Sequence, residues 1–402
     1  MFSAPLAMSE FSRYMVNAYD DREMRGIPVG FQAFFGALET GSKTIFSPDA
    51  NVIDIDIVRG NDKIAALVPR GGISRHLGSL NKDMNEGKFT SFARSYPLSI
   101  ESGEITSDQL NYRVAGEAAY SNTTKAQRMR ILARSIHNES IRRTGRTFEV
   151  LAAQSVLSGK QDAILGTTNA ALQFDFMRKS THIWTALNLW LSGSQTILAD
   201  LDTSCVLADR DAALPPDMAI LGDLAMDAFL KDTNIKATAD NKGFDVIAIS
   251  DRLPLPPKFA RFVNAGFICR GRVRTPGGYE LYLFTYQGGY TNSSNVFVPF
   301  MPQKKVLICS SQARCDRYFG PAEMLPPTSA KLAWYQERFG FNMANPALPV
   351  NPRDPGMIID PRMFYCDAYE TTDNQKIIIT TQSAPIFATT ATDAFVTMTV
   401  LS

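Results

Sequence analysis

Residues 53–57 alternate strictly, Ile53-Asp54-Ile55-Asp56-Ile57, with Val52 and Val58 at either end. Apolar side chains at every second position predict a half-buried strand, isoleucines on one face and both aspartates on the other. Gly60-Asn61-Asp62 predicts a turn, and residues 63–69 a strand running back. From Gly71-Gly72 to about Tyr96-Pro97 the pattern dissolves. Arg75, His76, Lys82, Asp83, Glu86 and Lys88 stand among few large apolar residues. Such a stretch inside a compact domain is uncommon, so it reads as a projecting loop. Upstream, Phe11, Tyr14, Met15 and Tyr19 recur near helical spacing until Gly26 and Pro28 end the pattern. One short helix cannot bury its own apolar stripe. The first ~30 residues therefore read as an arm lying on something else, such as a neighbouring subunit.

The longest helical signal follows Thr123-Thr124 and runs to Gly159. Met129, Leu132 and Ile136 share a face, and Phe148 and Ala152 resume it after Gly145. Threonines at the start and a glycine at the end suit the two caps. At 1.5 Å per residue, ~35 residues reach roughly 50 Å, more than a small domain's width, so the helix is a strut. Its polar face carries Lys125, Arg128, Arg130, Arg134, Arg142, Arg143 and Arg146 against Glu139 and Glu149. That face reads as solvated, with partners elsewhere in the chain. The functional alternative is contact with acidic loops of neighbours or with packaged nucleic acid.

Residues 174–190 are mixed in pattern, and Pro215-Pro216-Asp217 predicts the start of a helix through Leu230. A strand-rich region follows: residues 244–249, then a hairpin of 266–274 and 279–286 across Thr275-Pro276-Gly277-Gly278, then 306–309. A proline-rich stretch from 325 to 361 leads to closing strands at 376–381 and 394–401. The fold class is α+β.

Composition narrows the function. A chain of 402 residues with 45% apolar content can bury a large core and suits two or three domains, or one with long extensions. With 41 Lys plus Arg against 40 Asp plus Glu, bulk charge neither holds it to nucleic acid nor keeps copies apart. Cys205, Cys269, Cys309, Cys315 and Cys366 form no CxxC pair, and only His76, His137 and His182 could join them. That pattern suits buried reduced thiols rather than zinc. There is no phosphate loop, nucleophile elbow or HExxH, so no catalytic residue, cofactor or metal is expected. Asp54 and Asp56 suit a solvated or intersubunit face better than acid–base work. Neither a signal-peptide pattern nor an apolar run of ~18 residues occurs, which predicts a soluble protein made inside a cell, without a membrane partner.

Local sequence adds a resemblance. Thr380-Thr381-Gln382-Ser383-Ala384-Pro385, a short apolar run and Asp393-Ala394-Phe395-Val396 resemble the lambda-type phage major capsid protein E family. So do Val156-Leu157-Ser158-Gly159-Lys160, Gly243-Phe244-Asp245-Val246-Ile247 with the tyrosine-containing hairpin after it, and, more loosely, Phe31 to Phe35. Between about 200 and 340 the chain departs from that pattern and is longer, with the Pro254–Pro257 segment and the 292–301 loop. The resemblance implies the tailed-phage major capsid protein fold. Residues 1–30 would be an N-terminal arm. Residues 31–120 would hold the first peripheral strands, with an extended β-hairpin loop at about 68–97 reaching over an adjacent subunit. Residues 121–199 would be peripheral domain, with a spine helix at about 121–160. Residues 200–335 would be an axial domain at capsomer centres, and 336–402 the closing peripheral strands.

It further implies a non-enzymatic shell subunit of the virion. Its partners would be itself in hexamers and pentamers, separate scaffold and portal proteins, a decoration protein in some heads, and packaged double-stranded DNA contacted without sequence preference. Phe11, Tyr14, Arg75, Lys82, Lys88, Arg142 and Arg143 are the candidates for intersubunit contact. The competing readings are a cargo-enclosing shell of the same fold, a tail tube subunit, and an enzyme with an unrecognised site.

Overall fold

The computed structural model describes residues 44–46, 53–58, 88–93, 98–106, 125–162, 173–193, 195–240, 255–292, 294–313, 315–320, 322–324, 358–360, 365–370 and 376–402. Helix α1, Lys125–Ser158, is continuous through Gly145 over 34 residues. It is thus about 50 Å long. The segment contains no proline, and the buried Gly145 is carried by the packing around it. The helix stops at Gly159, whose φ of +67° places it in the left-handed region. A Cβ there would also come within 2.7 Å of the Arg178 Cβ, so both backbone and space call for glycine.

Under α1 lies a sheet whose longest strand is β18, Lys376–Thr389. One end of β18 pairs with β14, Cys315–Gly320, which in turn pairs with β1, Thr44–Phe46. Its other end pairs with β17, Tyr365–Glu370, and with β4, Leu98–Thr106. The strand passes through Pro385, which has no N–H to donate. Gln161, on short strand β5, Lys160–Asp162, fills the gap. Its amide donates to the Pro385 carbonyl at 3.3 Å and its carbonyl accepts from the Phe387 N–H at 2.8 Å. Phe148 of α1 seals the layer, its ring 5.8 Å from Phe319 and 5.5 Å from Phe387.

The second sheet has six strands in the order β7-β19-β13-β8-β10-β9: Ile183–Thr185, Phe395–Thr399, Lys305–Cys309, Met218–Leu221, Glu280–Thr285 and Ile268–Arg274. β8–β10 and β7–β19 are parallel, the other pairs antiparallel. Both faces are covered. Ala219, Leu221, Val306 and Ile308 face α2, Ile197–Ala212, and α3, Asp223–Lys231, through Leu201, Cys205 and Phe229. Met218, Ile220, Leu307 and Phe395 face a second core of Phe259, Phe262, Phe267 and the α1 residues Leu151 and Val156. Helices α4, Thr233–Asp240, and α5, Ala260–Asn264, complete the helical layers.

Three expectations change. Residues 218–221, expected to be helical, are a central strand. Met-Ala-Ile-Leu is buried at every position because both faces are covered, so no alternation shows. The helix begins only at Asp223 and ends at Lys231. Among the described residues Ile53–Val58 (β2) pairs with Lys88–Ala93 (β3), and the return strand expected at 63–69 lies outside them. Lys88 therefore belongs to a ladder, opposite Val58, and not to an irregular segment. Glu149, assigned to the polar face of the strut, is fully buried among the helix's packed positions. The 266–286 hairpin, the 306–309 strand and the last strand stand where the sequence pattern put them, while the strand from Lys376 runs on past Thr381 to Thr389. The arm helix, the 244–249 strand and most of the proline-rich stretch lie outside the described residues.

Candidate assembly surfaces

Charge inside this protein is used to fasten elements together. Asp211, at the end of α2, accepts from His182 Nε2 at 2.9 Å, Lys179 Nζ at 3.0 Å and Arg210 Nε at 3.2 Å. Burial alone would push its carboxyl up. The donors from His182, Lys179 and Arg210 outweigh that and hold it well below the usual carboxylate range. Next to Lys179 in the chain, the Arg178 guanidinium is buried and donates to the Ser155 carbonyl at 3.2 Å, binding the end of α1. Burial lowers its pKa to about 10, against the pull of Asp393. Thr397 of β19 also donates to the Leu157 carbonyl at 2.7 Å, satisfying one of the orphan acceptors of the last helical turn.

The hairpin of β9 and β10 is fastened from outside. Asp202 of α2 accepts from the Thr275 hydroxyl at 2.6 Å and the Gly277 N–H at 2.8 Å. A Cβ at 277 would collide with that carboxylate, so glycine permits the approach. Tyr279 donates to Asp209 at 2.9 Å. Burial and the adjacent Asp209 charge push its phenol up to about 12, which keeps it a donor. On the other side of the sheet, Asp217 accepts from the Ser311 N–H at 2.6 Å and from Lys258 at 2.6 Å. These contacts fix loops to helices.

Nothing among the described residues assembles a metal-binding cluster, and no helix among them is long and apolar enough to cross a membrane. Cys205, Cys309 and Cys315 are buried free thiols, and Cys269 is partly buried. Burial raises Cys205 to about 12 and puts Cys309 and Cys315 well above the ordinary thiol value, so they pack as small apolar groups.

The unusual features are on the outside. Leu187 is 93% exposed, and Leu191 and Leu224 are also exposed. Leu189, Leu191, Leu224 and Leu401 line a cleft of about 400 Å³ whose rim carries Asp227, Lys231 and Lys304. The small hairpin of β11, Gly289–Thr291, and β12, Phe297–Pro299, presents Val296 and Phe297, the latter 59% exposed. Apolar groups displayed in groups mark surfaces that meet another protein.

Of the contact candidates named from sequence, Arg142 and Arg143 are exposed on α1, with Arg143 donating to Glu139 at 3.1 Å. Lys88 begins β3. Phe11, Tyr14, Arg75 and Lys82 lie outside the described residues. The exposed leucines and the 289–299 hairpin were missed, because a lone exposed leucine in a sequence looks like a core residue. The 292–301 insertion was the one available signal for the hairpin.

Among curated proteins, no relative matches this chain. Among solved structures, a protein assigned as the capsid protein of a prophage in E. coli CFT073 superposes with a TM-score of 0.59. The two are 15% identical, and the match covers 100% of each chain. A chain from Mycobacterium phage Patience matches at TM-score 0.41 and 9% identity, covering 95% of this chain and 87% of that one. An encapsulin from Synechococcus elongatus PCC 7942 matches at 0.40 and 9% identity, covering 90% and 86%. The fold is therefore the α+β fold of tailed-phage capsid proteins. The sequence family described as phage major capsid protein E matches residues 49–400. With a family match over nearly its whole length and a capsid fold to carry it, the chain belongs to the phage major capsid protein E family.

Proposed function

We propose that this subunit joins copies of itself into hexamers and pentamers that close an icosahedral head around double-stranded DNA. The observation that carries the reading is the family match over residues 49–400. The architecture supports it physically: a long strut fastened at one end to two sheets, with apolar groups displayed away from the core. In this reading residues 1–30 are an arm and about 68–97 a loop, both crossing onto neighbours and adding contact area without enlarging the core. Permanent interfaces commonly bury over ~2,000 Å² in total. Residues 200–335 form the axial part at capsomer centres, and the segments around them the periphery. Scaffold and portal proteins are separate chains, DNA is met without base readout, and the subunit performs no catalysis.

Electron microscopy of the purified protein, alone and with its candidate scaffold, tests this directly. Closed polyhedral shells or six-fold rings are the expected result. A discrete monomer or dimer in both preparations would overturn it.

A further inference from the structure

Two exposed apolar patches are rooted on opposite faces of the six-stranded sheet. The β11–β12 hairpin grows from the face that α1 covers. Tyr290 stacks on Phe300 with ring centroids 5.9 Å apart, and Phe300 belongs to the core of Phe259, Phe262 and Leu151. Near the turn of the hairpin, Val296 and Phe297 are each more than half exposed. A hairpin this short is marginal on its own in water, so its bracing matters. Asn292 Oδ1 accepts from the Ser294 and Val296 N–H groups at 3.0 and 2.9 Å, and the Asn292 N–H donates to the Val296 carbonyl at 3.0 Å. The Phe297 ring lies against Gly289, where a Cβ would collide with it. The two apolar side chains are thus displayed on a braced support.

The leucine cleft is rooted on the other face. Leu401 and Ala228 belong to the core shared with α2 and α3, and Leu189, Leu191 and Leu224 complete the wall. Its volume of about 400 Å³ falls within the range of ~300–1,000 Å³ typical of clefts that enclose a ligand. A group that enters this apolar space has to be uncharged, because a charge taken out of water there would find no full partner. The hairpin meets that condition over an unusual length. No charged residue stands between Glu280 and Lys304, in a chain that is 20% charged. The first ~30 residues, also read as crossing onto a neighbour, instead carry Glu10, Arg13, Asp20, Asp21, Arg22 and Glu23 among their apolar positions. Within one subunit both the hairpin side chains and the leucines of the cleft stay exposed, so the knob that fills the cleft comes from another copy.

We propose that Val296 and Phe297 of the β11–β12 hairpin enter the leucine cleft of a neighbouring copy. A knob rooted on one face of the sheet and a cleft rooted on the other join identical subunits head to tail, the kind of contact that closes into rings. Its driving force is the apolar surface that the lone subunit leaves in water. It rests on the shell-building reading and names the two surfaces by which neighbours meet.

Phe297→Ser and, separately, Leu191→Ser test the two sides. Both side chains are more than half exposed, so each subunit should keep the parent's circular dichroism. The concentration needed to form shells in sedimentation should rise about tenfold or more, since every contact loses a buried apolar side chain. A second measurement reads the pairing itself. Val296→Cys with Leu191→Cys on one chain keeps both surfaces apolar. Treated with a bismaleimide after assembly, it should give a ladder of linked subunits ending at five and six. Either cysteine alone should give no ladder, and an equal mixture of the two single variants should stop at linked pairs. Unchanged shell formation by either serine variant would overturn the proposal, as would shells of the double-cysteine chain that yield no ladder. A parent protein that forms neither shells nor rings would overturn the shell-building reading, and this contact with it.

Discussion

The two halves of α1 share a helical conformation and little else. From Thr144 onward a broad face is enclosed: Thr144, Phe148, Glu149, Ala152, Ser155 and Val156 are all about 1% exposed or less, and Leu151, Ala153 and Leu157 widen the buried side. Before Ser140 only a stripe is covered. Met129 and Ala133 are buried while Ile131, between them, is 39% exposed. The enclosed half needs its neighbours, because Phe148, Ala152 and Val156 are covered only inside the fold. The outer half is an ordinary amphipathic helix propped from one end. A subunit built this way is anchored at one end of its strut and presents the rest to whatever packs beside it.

That comparison can be broken experimentally, beginning with the enclosed half. Phe148→Ala would empty the contact among α1, Phe319 and Phe387, and should cost about 3–5 kcal/mol in denaturant unfolding. A loss comparable to a surface substitution would mean the two halves are equally loose. Next comes the polar fastening of the segment that grips the helix end. Asp211→Asn should cost about 1–3 kcal/mol near neutral pH, since it removes a charged acceptor shared by three donors. The sign with pH follows from a folded-state pKa held below the unfolded one. Asp211 stabilises the fold above the ordinary carboxylate range and loses that contribution as pH falls through its depressed folded value. The substituted protein should therefore show a smaller loss of stability on acidification, measured as Tm against pH.

Thr397→Val leaves the Leu157 carbonyl without its hydroxyl donor and should lower stability by about 1–2 kcal/mol. Smallest of all, Ile131→Ala should change subunit stability by under ~0.5 kcal/mol, because the side chain is already partly in solvent. If the same substitution prevents shell formation, the outer half is an interface in the assembly. If it does not, that half stays solvated in the shell as well.

Much of this was legible in the sequence, and what was not has physical reasons. The strut could be read because threonines, a long proline-free run and Gly159 bracket it. The β9–β10 hairpin announced itself through Thr275-Pro276-Gly277-Gly278. The helix Ile197–Ala212 went unread, although its acids organise both the hairpin turn and the His182 cluster. The strand 218–221 looked helical because a run buried on both faces has no period. β18 was cut short at Thr381 because Pro385 normally interrupts a ladder, and no local pattern reveals that Gln161, 224 residues earlier, would bridge it. For the assembly surfaces, Arg142 and Arg143 were recognisable by charge. The leucine cleft was not, since exposure is a property of the folded surface.

The strand order of the six-stranded sheet also imposes a timetable. β19, residues 395–399, lies between β7 and β13, so a strand made after both of its neighbours occupies an interior place in the sheet. Until those residues leave the ribosome, β13 lacks a neighbour and the helix-end carbonyl of Leu157 lacks its donor. A nascent chain thus holds an open sheet until β19 emerges, and one broken off before it would lack the strand that joins β7 to β13.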